Sequence, residues 1–195
     1  MKIRRAVISV SNKTGLSDLA LFLKQHDVEI LSTGGTKKYL EGIGASPLEV
    51  GAYTGFPEIM DGRVKTLHPK IHGGILNIRD NDDHQKAMGV HGIQHIDMIV
   101  VNLYPFMEVI SKGCTFEDAI ENIDIGGPSM IRAAAKNFKY VTVVVDPLDY
   151  QKVIQNMAAN DCSTTQELRF YLAKKVFSLT SEYDSAIYGY LSKIQ

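Results

Sequence analysis

The sequence has no excess of charge of one sign. Its 21 Lys and Arg residues are balanced by 22 Asp and Glu residues, which leaves a formal net charge of -1 at pH 7. Proteins that attract nucleic acid through their overall field carry a large positive excess, and this chain has none. We therefore expect no nucleic-acid partner, and any basic cluster must act locally on a small anion.

Long hydrophobic runs and closely spaced cysteines are also missing. The apolar run near the N-terminus is interrupted at Ser9 and is too short for the core of a signal peptide. No run is long enough for a transmembrane helix. Cys114 and Cys162 are far apart and form no CxxC pair, which argues against a disulfide framework or a zinc cluster. We expect a cytoplasmic protein with two free thiols and no membrane partner.

The chain does contain strand-like apolar runs that alternate with helical periodicity. A length of 195 residues, 45% of them hydrophobic, fits one domain over residues 1–195 with one substantial core. Strands are predicted at residues 5–10, 28–31, 47–50, 96–103 and 140–145. Helices are predicted near residues 16–23, 37–43, 116–123 and 129–137, with a C-terminal helical segment at about 164–195. This alternation predicts an α/β fold of three layers, a parallel sheet flanked by helices.

Several polar loops directly follow predicted strands, where ligands of parallel α/β folds bind. Residues 11–14 (SNKT) and 33–36 (TGGT) offer hydroxyls, the Lys13 ammonium and glycine N–H groups beside a helix N-terminus. This combination suits a phosphate group, although a Gly-Gly pair is also common in ordinary turns. The loops are not a Walker motif, because GxxxxGK[ST] is absent.

The stretch DGRVKTLHPKIHGGIL, residues 61–76, concentrates basic side chains in a chain without net positive charge. Pro69 is unfavourable inside a helix and the charges are unfavourable in a central strand, so an ordered loop is predicted. Arg63 and Lys65 could reach one anionic ligand together, and a solvated basic loop is the alternative.

The histidines could suggest a metal site, since His68 and His72 are four residues apart, as are His91 and His95. Pro69 interrupts a helical face in the first pair, and no HExxH motif is present. No metal is expected.

Asp124 precedes a Gly-Gly-Pro segment and a predicted helix that contains Lys136. Asp124 and Lys136 could form a coupled acid–base pair, or Asp124 could simply cap the helix. Tyr104 follows a buried strand, and its hydroxyl either points into a site or lies at the edge of the core.

Six motifs together resemble one family: SVSNKTG, TGGT, TGFPE, GRVKTLHP, NLYPF, and IDIGG followed by RAAAKN. In this order they are similar to the inosine monophosphate (IMP) cyclohydrolase domain of the PurH family, over essentially the whole chain. The resemblance implies a methylglyoxal-synthase-like fold. It also implies closure of formyl-aminoimidazole carboxamide ribotide (FAICAR) to IMP with loss of water, without a cofactor.

The resemblance also implies roles for individual residues. The catalytic group would be Lys65, Tyr104, Asp124 and Lys136. We expect Lys136 and Asp124 to transfer protons, and Lys65 and Tyr104 to orient the carboxamide and stabilise charge. The implied nucleotide contacts are Ser11, Lys13, Thr33, Gly34, Gly35, Thr36, Arg63, Thr66, Asn102 and Gly126. Thr33 stands where the family often has Ser, and it keeps the hydroxyl.

Family members usually continue into a transformylase domain, which is absent from this sequence, so no formyl transfer is expected of it. A transformylase domain or a separate formylating enzyme would then act upstream. Members of the family are dimeric, so the resemblance also implies a homodimer. Two alternatives remain open: a nucleotide-sensing regulatory module without catalysis, and a lyase of the methylglyoxal synthase type.

Overall fold

The computed structural model describes residues 2–104 and 106–194, so Pro105 of the NLYPF motif lies outside the described residues. In this part of the chain, five parallel strands form one sheet in the order β3-β2-β1-β4-β5. The strands are β1 (Arg5–Val10), β2 (Glu29–Ser32), β3 (Leu48–Glu49), β4 (Met98–Asn102) and β5 (Thr142–Val144). The predicted parallel α/β fold is confirmed.

Helices cover both faces of this sheet. They are α1 (Leu16–Gln25), α2 (Gly34–Gly42), α3 (Val50–Thr54), α4 (Pro69–Leu76), α5 (Asp82–Val90), α6 (Phe106–Ser111), α7 (Phe116–Glu121), α8 (Gly126–Lys136), α9 (Tyr150–Ala159) and α10 (Gln166–Leu191). Helices α1 and α9 pack together on one side, whereas α4 and α10 both pack against α8 on the other. None of the described helices combines the length and the apolar character that a membrane span requires.

The strand order creates a crevice beside the central strand. The chain moves from β1 to β2 in one direction, and β4 then pairs with the other side of β1. Because such connections are right-handed, the helices leave the carboxyl ends of β1 and β4 toward opposite faces. The gap between them is the usual ligand position in a parallel sheet.

The two central strands are apolar almost throughout because helices cover both of their faces. Ile8, Ile99 and Val100 have no exposed surface, and burial of such a side chain stabilises the fold by about 1.5–3 kcal/mol. This burial fixes the strands and therefore the loops that follow them.

The amino edge of the sheet is held by Asp97, immediately before β4. One carboxylate oxygen accepts the backbone N–H groups of Arg4 at 2.7 Å and Arg5 at 2.9 Å. The other oxygen lies 2.6 Å from the Arg79 guanidinium, and the two side chains are only 6% and 7% exposed. Asp97 thus joins β1, β4 and the segment after α4.

One predicted loop and two predicted helix starts are wrong. Residues 69–76 were expected in a loop but form α4, because Pro69 occupies the first helical turn, where its missing N–H costs nothing. The His68 side chain caps that helix by accepting the Lys70 N–H at 3.1 Å. Helices α2 and α8 likewise begin earlier than predicted, at their glycines Gly34 and Gly126.

We predict that Asp97→Ala lowers the free energy of unfolding by about 3–5 kcal/mol, the usual cost of removing one partner of a buried ion pair. Urea unfolding followed by circular dichroism measures this change. The matched control is Asp83→Ala, because Asp83 pairs with Lys86 in full exposure and its loss should have little effect. Equal stability of the two variants would contradict a structural role for Asp97.

Candidate functional site

The loops after β1 and β4 are tied together by the side chain of Asn102. Its carbonyl oxygen accepts the Ser11 N–H at 2.7 Å, the Ser11 hydroxyl at 2.8 Å and the Asn12 N–H at 3.0 Å. Its amide group donates to the Asn12 carbonyl at 3.1 Å. The Tyr150 hydroxyl also bonds to Asn102, and burial raises the pKa of Tyr150 to about 12. Asn102 therefore shapes the loop that would meet a ligand.

The segment after β2 opens directly into α2. Gly34 and Gly35 are exposed, and they present backbone N–H groups of the first helical turn without covering side chains. Thr36, in contrast, is buried, and its hydroxyl bonds to both the N–H and the carbonyl of Val10 at 3.0 Å. Thr36 therefore anchors α2 to β1, and the backbone of Gly34 and Gly35 remains open to an anion.

The first half of the basic stretch folds back on itself. Ile59 and Val64 form an antiparallel bridge around a 3-10 turn at Met60–Gly62. Gly62 has φ of +90°, and a β-carbon at this position would lie 2.6 Å from a carboxylate oxygen of Glu58. The positive φ favours glycine here, whereas the Glu58 carboxylate is the end of a flexible side chain and could move aside. The tight turn places Lys65 and Thr66 directly after it.

Lys65 is the residue that connects this turn to α2. Its ammonium lies 3.9 Å from the place where a β-carbon on Gly34 would stand, so it faces the N-terminal turn of α2. It also pairs with Glu58 at 3.0 Å. Arg63 points instead toward α7, where its guanidinium pairs with Glu121 on the surface.

Thr66 connects the same turn to α8. This side chain is 6% exposed, and its hydroxyl oxygen would lie 3.0 Å from a β-carbon on Gly126. Lys65 and Thr66 are adjacent in one loop and thus lie beside the N-terminal turns of two different helices. This convergence brings the phosphate-type loop and the Asp124 segment into one area.

The Asp124 carboxyl group is held at the start of α8 by two backbone groups. One carboxylate oxygen accepts the Gly127 N–H at 2.8 Å, and the backbone of Tyr104 bonds to the same carboxyl group. Burial raises the pKa of Asp124 above its ordinary value, and these two bonds offset part of that rise. Asp124 therefore caps the first turn of α8 through its side chain, and its carboxyl group is also perturbed. Its pairing with Lys136 stays a prediction.

Tyr104 and Lys136 occupy different places. The Tyr104 side chain is 58% exposed at the rim beside Asp124. Lys136 is the last residue of α8, and a rise of about 1.5 Å per residue puts it about 15 Å from Gly126. The next residue, Asn137, donates to the carbonyls of Ile75 and Asn77 at the amino edge of the sheet. Within one chain, Lys136 therefore lies away from Asp124.

The remaining predicted contacts lie at the loops already described. Ser11 also donates its hydroxyl to the Leu103 carbonyl at 3.2 Å, and Lys13 reaches the Ser11 carbonyl at 3.4 Å. Thr33 precedes α2 as its N-cap and is 7% exposed. No three His, Cys, Asp or Glu side chains in the described ranges are arranged to hold a metal ion.

Sequence reasoning missed four residues at this edge: Glu58, Gly127, Tyr150 and Tyr183. Glu58 lies within the TGFPE motif, and Gly127 within IDIGG, so both could have been found there. Tyr150 and Tyr183 come from α9 and α10, outside every motif, and no local pattern marks them.

Two family models match the chain. The model described as an MGS-like domain matches residues 15–129, and the model described as the AICARFT/IMPCHase bienzyme matches residues 134–195. The crystal structure of ForH superposes with a TM-score of 0.83 at 32% identity, covering 95% of this chain and 97% of that one.

Curated relatives agree with these matches. The Bifunctional purine biosynthesis protein PurH of Magnetococcus marinus is 56% identical over 194 residues, or 99% of this chain. The protein of the same name from Rhodospirillum rubrum is 60% identical over 187 residues, or 96% of this chain. The chain spans 36% of the length of each of these relatives.

We predict that Gly127→Ala displaces the Asp124 carboxyl group, because the added β-carbon would stand 2.4 Å from one of its oxygens and 3.0 Å from Leu103. The expected loss of unfolding free energy is about 1–3 kcal/mol, typical of overpacking. Urea unfolding and a carbon-13 NMR titration of Asp124 measure the two effects.

The control for this substitution is Gly42→Ala in α2, where an added β-carbon would meet no atom within 4 Å. This variant should be as stable as the parent or slightly more so. Unchanged stability together with an unchanged Asp124 titration in Gly127→Ala would show that the close contact is unimportant.

Proposed function

We propose IMP cyclohydrolase activity for this chain, which belongs to the MGS-like domain family and is similar over almost its whole length to part of the PurH proteins. In the proposed reaction the carboxamide nitrogen of FAICAR attacks the formyl carbon, a carbon–nitrogen bond forms, and the formyl oxygen leaves as water. The observation that carries the proposal is the loop in which Lys65 faces α2 while Thr66 contacts α8 beside Asp124.

The 5′-phosphate of the ribotide would bind at the start of α2. Open N–H groups at Gly34 and Gly35 and the partial positive charge of a helix N-terminus favour a phosphate there. The neighbouring Ser11, Lys13 and Thr33 would add a cation and hydroxyls. Lys65 would then exchange its Glu58 partner for the substrate, and Arg63 could likewise leave Glu121, because such exposed pairs are weak.

The reacting groups would lie between Lys65 and Asp124. Both ends of the new bond belong to one molecule, so the protein mainly has to hold them in a reactive geometry and move protons. Lys65 and Tyr104 would orient the carboxamide and stabilise the oxyanion of the tetrahedral intermediate. Asp124 would accept a proton from the attacking nitrogen and return it to the oxyanion, which becomes a hydroxyl group. The carbon–oxygen bond then breaks as the ring C=N bond forms, and the proton released by the former formamide nitrogen joins the departing hydroxide to give water.

The half-buried Asp124 carboxyl group favours this function over a sensing module, and the curated relatives favour it over a lyase. A nucleotide-sensing module would use the α2 loop but would have no use for a carboxyl group with a raised pKa beside it. A lyase of the methylglyoxal synthase type would share the fold and the phosphate position, and the PurH relatives argue against it.

We also propose that the active form is a homodimer in which Lys136 of one subunit completes the site of the other. Lys136 and Asp124 belong to opposite ends of α8, so a single chain cannot bring the two side chains together. Exposed apolar side chains surround the site, among them Met60, Tyr104 and Ile125, and a second subunit could cover them. Lys136 would then act with Asp124 in proton transfer.

We predict that the chain converts FAICAR to IMP and that Asp124→Asn lowers kcat by about 10²–10⁴-fold, the usual contribution of a general base. Asn keeps an acceptor for the Gly127 N–H, so the fold should be retained. Ultraviolet absorbance follows IMP formation, and Asp184→Asn on the exposed side of α10 is the matched control.

The pH dependence should carry the signature of the raised pKa. Asp124 must be ionised to act as a base, so the acidic limb of kcat should lie above the pH at which an ordinary aspartate titrates. For stability the sign is opposite: the contribution of the protonated group is present at low pH and is lost as the pH rises through the raised pKa.

Binding of IMP without conversion of FAICAR would contradict the proposed activity and favour the sensing module instead.

We predict that Lys136→Ala and Asp124→Asn complement each other when co-expressed with two different tags. A mixed dimer would contain one site with both residues intact, so random assembly should restore about a quarter of the wild-type activity. The control pair, Lys65→Ala with Asp124→Asn, places both defects within the same group of loops and should stay inactive. Absence of rescue in the first pair would refute a Lys136 contribution across subunits.

A further inference from the structure

The backbone of Asp124 has a partner from a distant part of the chain. Its N–H donates to the hydroxyl oxygen of Tyr183, on α10, at 2.8 Å. Tyr183 is only 9% exposed, so water has little access to replace this bond. Leaving the Asp124 N–H without an acceptor in such a place would cost free energy, so the Tyr183 hydroxyl stabilises this segment.

The Tyr183 ring is itself fixed by packing. It meets Phe106 edge to face, with ring centroids 6.3 Å apart and an angle of 68° between the ring planes. Phe106 is 1% exposed and donates its N–H to the Tyr104 carbonyl at 2.8 Å. Tyr183 therefore contacts both segments whose N–H groups surround the Asp124 carboxyl group.

Asp124 is therefore held by hydrogen bonds at both its main chain and its carboxyl group. The Tyr183 hydroxyl holds its main chain, and the N–H groups of Gly127 and Tyr104 hold its carboxyl group. If the first contact is lost, the main chain can shift, and the two N–H bonds to the carboxyl group lengthen. The position of the carboxyl group then depends on a residue that does not touch it.

We propose that Tyr183 is a positioning residue that holds Asp124 in the geometry required for ring closure. The inference rests on the proposed function of Asp124. Asp124 lies in the segment matched by the MGS-like model, and Tyr183 lies in the segment matched by the AICARFT/IMPCHase model. The hydrogen bond thus joins the two matched segments, and α10 contributes to the site as well as to the core.

The test is Tyr183→Phe, which removes the hydroxyl and keeps the ring on Phe106. The matched control is Tyr190→Phe, because Tyr190 lies on the same helix and also meets Phe106 edge to face, at 5.8 Å. We expect kcat to fall about tenfold in Tyr183→Phe, equivalent to the loss of about 1.4 kcal/mol of transition-state stabilisation, with KM changed less than about twofold. Tyr190→Phe should behave as the parent.

Three further readouts separate positioning from a general loss of stability. The acidic limb of kcat should move to higher pH in Tyr183→Phe, because the carboxyl group loses part of its hydrogen bonding. In an Asp124→Asn background, Tyr183→Phe should lower kcat no further, since both changes act through one group. The Asp124 amide should exchange its hydrogen faster in Tyr183→Phe only.

The outcomes distinguish this inference from the proposed function. Parent-like kcat, pH profile and amide exchange in Tyr183→Phe would overturn the positioning role while the cyclohydrolase proposal stands. If the parent chain itself has no cyclohydrolase activity, the proposed function fails, and NMR titration of the Asp124 carboxyl group decides the positioning role. A higher Asp124 pKa in Tyr183→Phe than in Tyr190→Phe would then support it, and identical values would overturn it.

Discussion

The parallel pairing of β1 with β4 holds the two central loops of the candidate site in place. Because β4 joins the free side of β1, the carboxyl ends of both strands stop beside each other, and Asn102 can bond to Ser11 and Asn12. Asp97 secures the same pair at the amino edge through the backbone of Arg4 and Arg5. The register of the two buried strands therefore sets the positions of the polar loops that follow them.

Two helix N-termini and one loop then build the site on this base. The loop needs the tight turn at Gly62 so that Lys65 and Thr66, adjacent in sequence, can reach α2 and α8. Gly127 allows the Asp124 carboxyl group to lie over the first turn of α8, where a β-carbon would collide with it. The absence of a side chain at these two glycines therefore lets Lys65 and the Asp124 carboxyl group take up their positions.

The ionic groups differ in how firmly they are held. The Asp97–Arg79 pair is buried, and removing one partner of such a pair is strongly destabilising. The pairs of Lys65 with Glu58 and of Arg63 with Glu121 are more exposed and contribute little to stability. The buried pair can therefore keep the fold intact while Lys65 and Arg63 exchange their carboxylate partners for a ligand, as proposed.

The sequence by itself determined the five parallel strands, the helices α1, α2, α7, α8 and α10, the polar loops at strand ends and the family, because periodicity and motifs are local properties. It did not predict α3, α5, α6 and α9, which are short helices. It missed α4, since Pro69 is unfavourable inside a helix although proline suits the first helical position. It also placed the starts of α2 and α8 too late, because their leading glycines have low helix propensity. Only the tertiary structure decided that Tyr183 bonds to Asp124 and that Lys136 lies at the far end of α8. Such relations depend on packing between distant segments and on helix length in space, which no local pattern encodes.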